Sequence, residues 1–290
     1  MRLITTDAIL RKYIPNVLST VTGEQSLFEK LTPFLELAEE WVKDTFTSEQ
    51  TFNTIAGYTD TNVIKTFTCK VVVCHAFMVA VPSLDLVLTP NGFGIVSNAN
   101  VAPASKERVE RLIDSLETER DRAIRLLLAS LIGASKWTSS SQYLYFSASL
   151  FPNLDICDYV GVGEHLWQKY LELRPILFDV EVSIEAHFLG KEQMDALRKK
   201  IIESSSSTST VVRSVISSLR AEVAQRVKRR LDAASSHSAP FCSPPTALIN
   251  IVDVIRNTPA EFPEWHSSPI KNLFDAPSFV NKKNSRGYWF

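Results

Sequence analysis

Apolar residues along this chain recur mostly at the three-to-four-residue spacing of helices, so the pattern predicts a mainly α protein. Residues 31 to 46 carry such a stripe, and Thr61 or Asn62 can cap a second helix that runs to Val81 and stops at Pro82. Leu84 to Leu88 then alternate, Thr89-Pro90-Asn91-Gly92 supplies turn chemistry and Phe93 to Val96 return, which predicts a projecting β-hairpin near residues 84–97. Ser105 can cap a long third helix with Val109, Leu112, Leu116, Ala123, Leu127 and Leu131 on its buried side. Its other side carries Glu107, Glu110, Arg111, Glu117, Arg120, Asp121 and Arg125, a mixed-sign face expected to be solvated.

Further on, Lys136 to Leu150 is aromatic and Ser-rich (Trp137, Tyr143, Tyr145, Phe146), which predicts short strands or an ordered loop. A helix over 173–188 follows, and the run 204–210 reads as a loop and helix cap. From Val211, apolar residues recur every four positions to Leu231. Because each such step overshoots a turn by about 40°, the stripe must wrap around its helix and meet several neighbours. A shorter helix is expected from Thr246 to Arg256, and Pro259, Pro263, Pro269 and Pro277 leave an extended tail after it.

The chain also repeats itself. Leu31–Phe46 aligns without a gap on Leu173–Phe188, an offset of 142 residues that matches Pro33 with Pro175, Leu35 with Leu177, Glu39 with Glu181 and Phe46 with Phe188. One inserted residue later, Ser48 to Gln50 meets Gly190 to Gln193, and upstream Leu27-Phe28 corresponds to Leu166-Trp167. Both prolines suit a helix start. Shared helical patterning alone can produce part of this match, and duplication of one unit accounts for more of it. The expected organisation is two related helical-bundle halves, residues 1–141 with the hairpin and residues 142–290 with the Pro-rich aromatic tail.

With 290 residues, 45% hydrophobic and 22% charged, the chain can bury a real core, which excludes disorder throughout. Lysine plus arginine total 31 against 32 acidic residues, so only a local patch could meet nucleic acid or anionic lipid. Cys69, Cys74, Cys157 and Cys242 are too irregularly spaced for a disulfide framework or a paired CxxC metal site and read as reduced, mostly buried thiols. The start lacks the apolar core of a signal peptide. Polar residues interrupt every candidate membrane span, so cytoplasmic synthesis and no membrane partner are expected.

Candidate chemistry is sparse. Gly92-Phe93-Gly94 and Gly161-Val162-Gly163 lack the third glycine of a phosphate-binding turn, and the Ser-rich segments contain no nucleophile elbow. Cys74 and His75 are adjacent, which on a helix turns them about 100° apart. Glu181, Glu185 and His187 fail the Glu-x-x-His spacing of a bundle metal site and read as solvated helix charge. No catalytic residue, metal or cofactor is therefore expected. The strongest charge feature is Arg213, Arg220, Arg226, Lys228, Arg229 and Arg230 on one helix, a face for water, an acidic partner or DNA phosphates. The terminal Tyr288, Trp289 and Phe290 should dock, either in a groove of the chain itself or on a neighbouring subunit.

The run from Leu84 to Val109, the long charged helix after it and the ending Gly287-Tyr288-Trp289-Phe290 together resemble a family of about 300 residues from Bacteroidetes phages and prophages. That family looks like the head-to-tail connector (adaptor) proteins of tailed phages. The resemblance implies a non-enzymatic structural virion protein, a ring subunit bridging portal and tail, located in the virion after synthesis in the host cytoplasm. Its partners would be identical subunits, portal and tail proteins. Contacts are expected through Leu86, Leu88, Phe93 and Ile95 of the hairpin and through Tyr288, Trp289 and Phe290. DNA would be reached only in the ring lumen, by Arg213, Arg220, Arg226, Arg229 and Arg230. A capsid or tail-completion protein, or a DNA-binding packaging accessory, is the alternative.

Overall fold

A computed structural model describes residues 2–14, 26–84, 86–89, 92–95, 105–203, 208–236 and 246–275. The protein is mainly α. Helix α1 (Asp7–Arg11) is capped by the Thr6 side chain, and α2 (Leu27–Val42) begins on a reciprocal capping box between Ser26 and Glu29. This cap nucleates α2 well before Pro33, which therefore lies on the exposed side inside the helix rather than at its start. After α2 comes a five-residue π-turn, Lys43–Thr47, then α3 (Glu49–Ala56) and α4 (Val63–Ala80). Asn62 caps α4 by accepting from the Ile64 and Lys65 amides at 2.9 and 3.2 Å. Rich in β-branched residues, α4 is helical because tertiary burial overrides weak propensity: Val71, Val72, Val73, Cys74 and Ala76 are all buried between α2 and α5. By length and composition alone, Val63–Ser83 could cross a membrane, contrary to the expectation that every candidate span is interrupted, but half of that window is buried within the protein.

Strands β1 (Leu86–Thr89) and β2 (Gly92–Ile95) pair antiparallel, Leu86 opposite Ile95. The side chains of Leu86, Leu88, Phe93 and Ile95, assigned to partner contact, lie outside the described residues, as do Tyr288, Trp289 and Phe290. Helix α5 (Lys106–Leu131) has Ser105 at its N-cap position without a capping side-chain bond. The aromatic, Ser-rich segment after it is helical, against the expected strands or loop. A 3-10 turn at Trp137–Ser139 leads to α6 (Ser141–Ser147), because the Ser140 hydroxyl caps that helix at the Tyr143 amide and Phe146 is fully buried.

Among the described residues, six helices and two turns follow. Short α7 (Asp155–Val160) precedes α8 (Leu166–Ile184), which encloses Pro175 and ends in a second π-turn, Glu185–Leu189. Then come α9 (Lys191–Glu203), α10 (Thr210–Ser236), α11 (Thr246–Asn257), α12 (Pro263–Ser267) and a 3-10 turn at Pro269–Leu273. The wrapping stripe of α10 packs on α7, α8 and α11 through Val215, Leu219, Val223 and Val227. Buried residues from Leu3 to Trp265 form one continuous hydrophobic cluster.

The two segments separated by 142 residues share unusual local geometry. Each π-turn closes with an amide bonded five residues back, Ser48 to Lys43 and Gly190 to Glu185, both at 2.8 Å. Each closing residue has positive φ, 71° at Ser48 and 81° at Gly190, with ψ 157° in both. No inserted residue is needed, since Glu49 and Lys191 both open the next helix. At Gly190 a Cβ would lie 2.8 Å from the Ser268 hydroxyl, so backbone conformation and space together demand glycine. Into each π-turn an indole N–H donates: Trp137 Nε1 to the Phe46 carbonyl at 2.7 Å and Trp265 Nε1 to the Phe188 carbonyl at 3.0 Å. Glu39 accepts from the Leu3 and Ile4 amides at 2.8 and 3.4 Å, as Glu181 accepts from the Ser149 hydroxyl at 2.7 Å and the Leu150 amide at 3.0 Å.

Candidate functional site

Among the described residues, charged and aromatic side chains gather where α5 and α6 meet α7 and the start of α8. Arg120 and Asp121, expected on a solvated face, are 5% and 1% exposed. The stripe of α5 is broader than the apolar residues alone indicate, because this charged flank packs on α8 instead of meeting water. One Asp121 oxygen accepts from Arg120 Nε at 2.9 Å and Nη2 at 2.7 Å, and the other accepts from the Trp167 amide at 3.0 Å, near the start of α8. Glu117 pairs with Arg120 at 3.0 Å and with His165 Nδ1 at 2.6 Å. Arg125 reaches Asp158 at 2.9 Å and the Leu154 carbonyl at 3.4 Å.

Beside these pairs the rings form a continuous cluster. Phe46 lies 4.8 Å from Trp167 and 6.2 Å from Phe146, and Phe146 stacks on Tyr170 at 6.3 Å. The Arg174 guanidinium sits 3.5 Å over the Tyr145 ring and also donates to the Tyr145 carbonyl. His75 stacks on Trp41 at 4.0 Å. Burial, aided by nearby Arg120, lowers the His75 pKa to about 4, so the ring is neutral near pH 7. Burial raises the thiols of Cys69, Cys74 and Cys157 to about 11, which keeps them protonated and poor nucleophiles; Cys242 lies outside the described residues.

Glu181, read as solvated helix charge, is 1% exposed. Its second oxygen pairs with Arg198 Nη2 at 3.1 Å, and Arg198 also holds Glu185 and Asp195. Burial is the largest influence on Glu181 and raises its pKa, against the lowering effect of its hydrogen bonds and of Arg198. His187 is exposed and turned to the Ser183 carbonyl, so the three residues do not converge. Among the described residues no group of three or more His, Cys, Asp and Glu could hold a metal ion.

The basic residues of α10 do not form one free face. Arg220 is half-buried, paired with Asp155 at 3.1 Å and lying 4.5 Å over Phe151. Arg226 bonds Glu222 at 2.7 Å, and Arg230 lies 3.7 Å from Asp179. Arg213, Lys228 and Arg229 are exposed. Two surface grooves flank these helices. One, about 410 Å³, runs between α10 and α11 over Ser214, Ser218, Ala221 and Asn250. The other, about 320 Å³, lies between α6 and α8 under Tyr145, Leu171 and Phe178.

These features define a helical-bundle protein whose buried ionisable groups join one helix to the next. A protein-family profile described as a family of unknown function (DUF6712) matches residues 14–147, so the chain is similar to that family from the end of α1 through α6. No curated protein and no solved structure matches the chain.

Proposed function

We propose that this protein is a structural assembly subunit, and specifically a head-to-tail connector ring subunit of a tailed phage, built from two copies of one helical unit. The observation that carries the reading is the junction just described. With the boundary between units placed after α6 instead of at residue 141, the second unit's opening elements, α7 and the start of α8, seat on α5 and α6 of the first through a heterologous contact, the geometry by which successive subunits of a ring engage. In each unit the same three features recur, the π-turn, the indole that donates into it and the buried carboxylate that ties down the segment before the unit's first helix. The sequence resemblance over Leu84–Val109 supports placing this assembly in a phage particle. On this reading the chain works by shape and contact, and makes or breaks no bond.

Arg220 and Arg226 are committed to partners within the chain, which weakens the alternative of a DNA-binding accessory. The test is native mass measurement of the full chain, alone and mixed with the portal protein of the same phage, followed by imaging of any complex. A closed ring bound coaxially to the portal is expected. Failure to bind portal, together with salt-dependent DNA binding that is lost on replacing Arg213 and Arg229, would overturn the proposal.

A further inference from the structure

Among the described residues, the internal junction has counterparts on α1 and on α11 with the 269–273 turn, each with an exposed outer side. On the receiving side, the two indoles set the register. Ten residues before Trp137 and Trp265 lie Leu127 and Ile255, both fully buried, and the pairs Ala123 with Ile251 and Ile124 with Val252 are buried likewise. In that register Arg125 corresponds to Asp253, Tyr145 to Leu273 and Phe146 to Phe274. Phe146 stacks near Phe46 at 6.2 Å, and Phe274 lies 6.1 Å from Phe188, its counterpart. Asp253 is exposed, Leu273 is 70% exposed, and Ile249 and Val254 add apolar surface on the outer side of α11.

On the inserting side, α7 matches α1. The Glu39 and Glu181 contacts align Leu3-Ile4 with Ser149-Leu150, which places fully buried Leu10 on Ile156, and Ile14 on Val160, each 8% exposed. Asp158 then corresponds to Lys12, and because α2 and α8 run unbroken into their π-turns, the 142-residue offset holds back to half-buried Phe28 and pairs it with Tyr170, not with Trp167 as the shifted sequence match has it.

The pair Arg125 and Asp158, 2.9 Å apart across the junction, thus maps onto Asp253 and Lys12 with both signs reversed. One reversal would turn attraction into repulsion, and the two together restore it. We infer that a second copy of this chain docks head-to-tail, its α1 and the start of α2 seating on α11 and the 269–273 turn of the first, with Lys12 meeting Asp253 and Phe28 meeting Phe274. Lys12 is free to turn: its existing contact with Asp60 is 3.6 Å long and both side chains are more than half exposed. The inference deepens the proposed assembly role and rests on the two-unit reading behind it.

The experiment is sedimentation velocity of the full chain over a concentration series, with wild type, K12D, D253K and the double variant K12D/D253K. Both residues are exposed, so circular dichroism and melting temperature should be unchanged in every variant. Wild type should associate. Each single variant should weaken association by about tenfold or more through like charges brought face to face, and the double variant should return to within about threefold of wild type. A wild-type chain that stays monomeric at its solubility limit, or association indifferent to both single variants, would overturn the inference. Portal binding, measured separately, keeps the two claims apart. Rings on the portal that ignore the swaps sink this interface and leave the connector reading standing, whereas swap-sensitive association without portal binding does the reverse.

Discussion

Replacing Asp121 by asparagine keeps the shape of the side chain and removes its charge at the centre of the junction. In the native protein this carboxylate is 1% exposed and accepts three hydrogen bonds, two from Arg120 and one from the Trp167 amide. Asparagine offers one oxygen, so its NH2 group must face either a guanidinium or a backbone N–H, and a buried donor goes unmet. Breaking a buried ion pair costs about 3–5 kcal/mol. Arg120 keeps Glu117 at 3.0 Å, which places the expected cost at the low end, about 3 kcal/mol. For a chain of 290 residues that corresponds to a fall of roughly 5 °C in melting temperature, read by calorimetry, with the free energy itself read by urea titration at constant m value. D121L should be at least as damaging, because Arg120 then loses its main counter-charge. The double variant R120M/D121L should recover most of the loss, since replacing both ions by apolar groups removes the desolvation penalty along with the attraction. A D121N effect below about 0.5 kcal/mol, or a double variant worse than either single, would refute the claim that this pair couples α5 to α8.

Two further outcomes follow from the buried titratable groups. His75 has its pKa lowered to about 4 from 6.5, so the unfolded chain binds its proton first; its stabilisation is complete above about pH 6.5, declines as pH falls and is lost near pH 4, and H75F, which keeps a ring against Trp41, should lose about 2 kcal/mol less than wild type between pH 7 and 5 in urea titrations. Glu181 faces buried Arg198 whereas Glu39 accepts chiefly from two backbone amides, so E181Q should cost about 2–3 kcal/mol and E39Q about 1 kcal/mol or less, and an equal or reversed order in chemical denaturation would show that Arg198 is not the partner that matters.

Helix content was legible because the apolar spacing of α2, α5, α10 and α11 is produced by the same burial that holds them. Burial of charge was not legible. Spacing alone cannot distinguish Arg120 and Asp121, which pair with each other and with a helix N-terminus, from Glu107 and Arg111 nearer the start of the same helix and in water, because all four are charged residues off the apolar stripe. The same holds for Glu181, whose neighbour Arg198 comes from a different helix. Nor could letters reveal the π-turns: Lys43–Thr47 and Glu185–Leu189 share only their phenylalanine, and the geometry depends on a closing residue that tolerates positive φ and on an indole from far along the chain. The α6 segment misled because strand-favouring aromatics there serve ring packing, which a short capped helix satisfies equally well.

On the proposed two-unit reading, the differences between the units follow what covers each one. The segment leading into α7 and the helix itself are apolar on the side toward α5 and α10, with Phe151, Leu154 and Cys157 fully buried. The matching positions on the first unit are Thr5, Ala8 and Arg11, all exposed. An uncovered helix must be polar enough to stay soluble, so a contact between chains built on α1 carries less apolar burial than the internal one. At roughly 25 cal/mol per Å² of apolar surface, exchanging a phenylalanine and a leucine for threonine and alanine removes several kcal/mol from such an interface. The contact between copies must therefore be weaker than the covalently tethered contact within a chain, and its specificity falls more heavily on charge. That is the reason the Lys12 and Asp253 swap, rather than truncation of an apolar residue, is the discriminating perturbation.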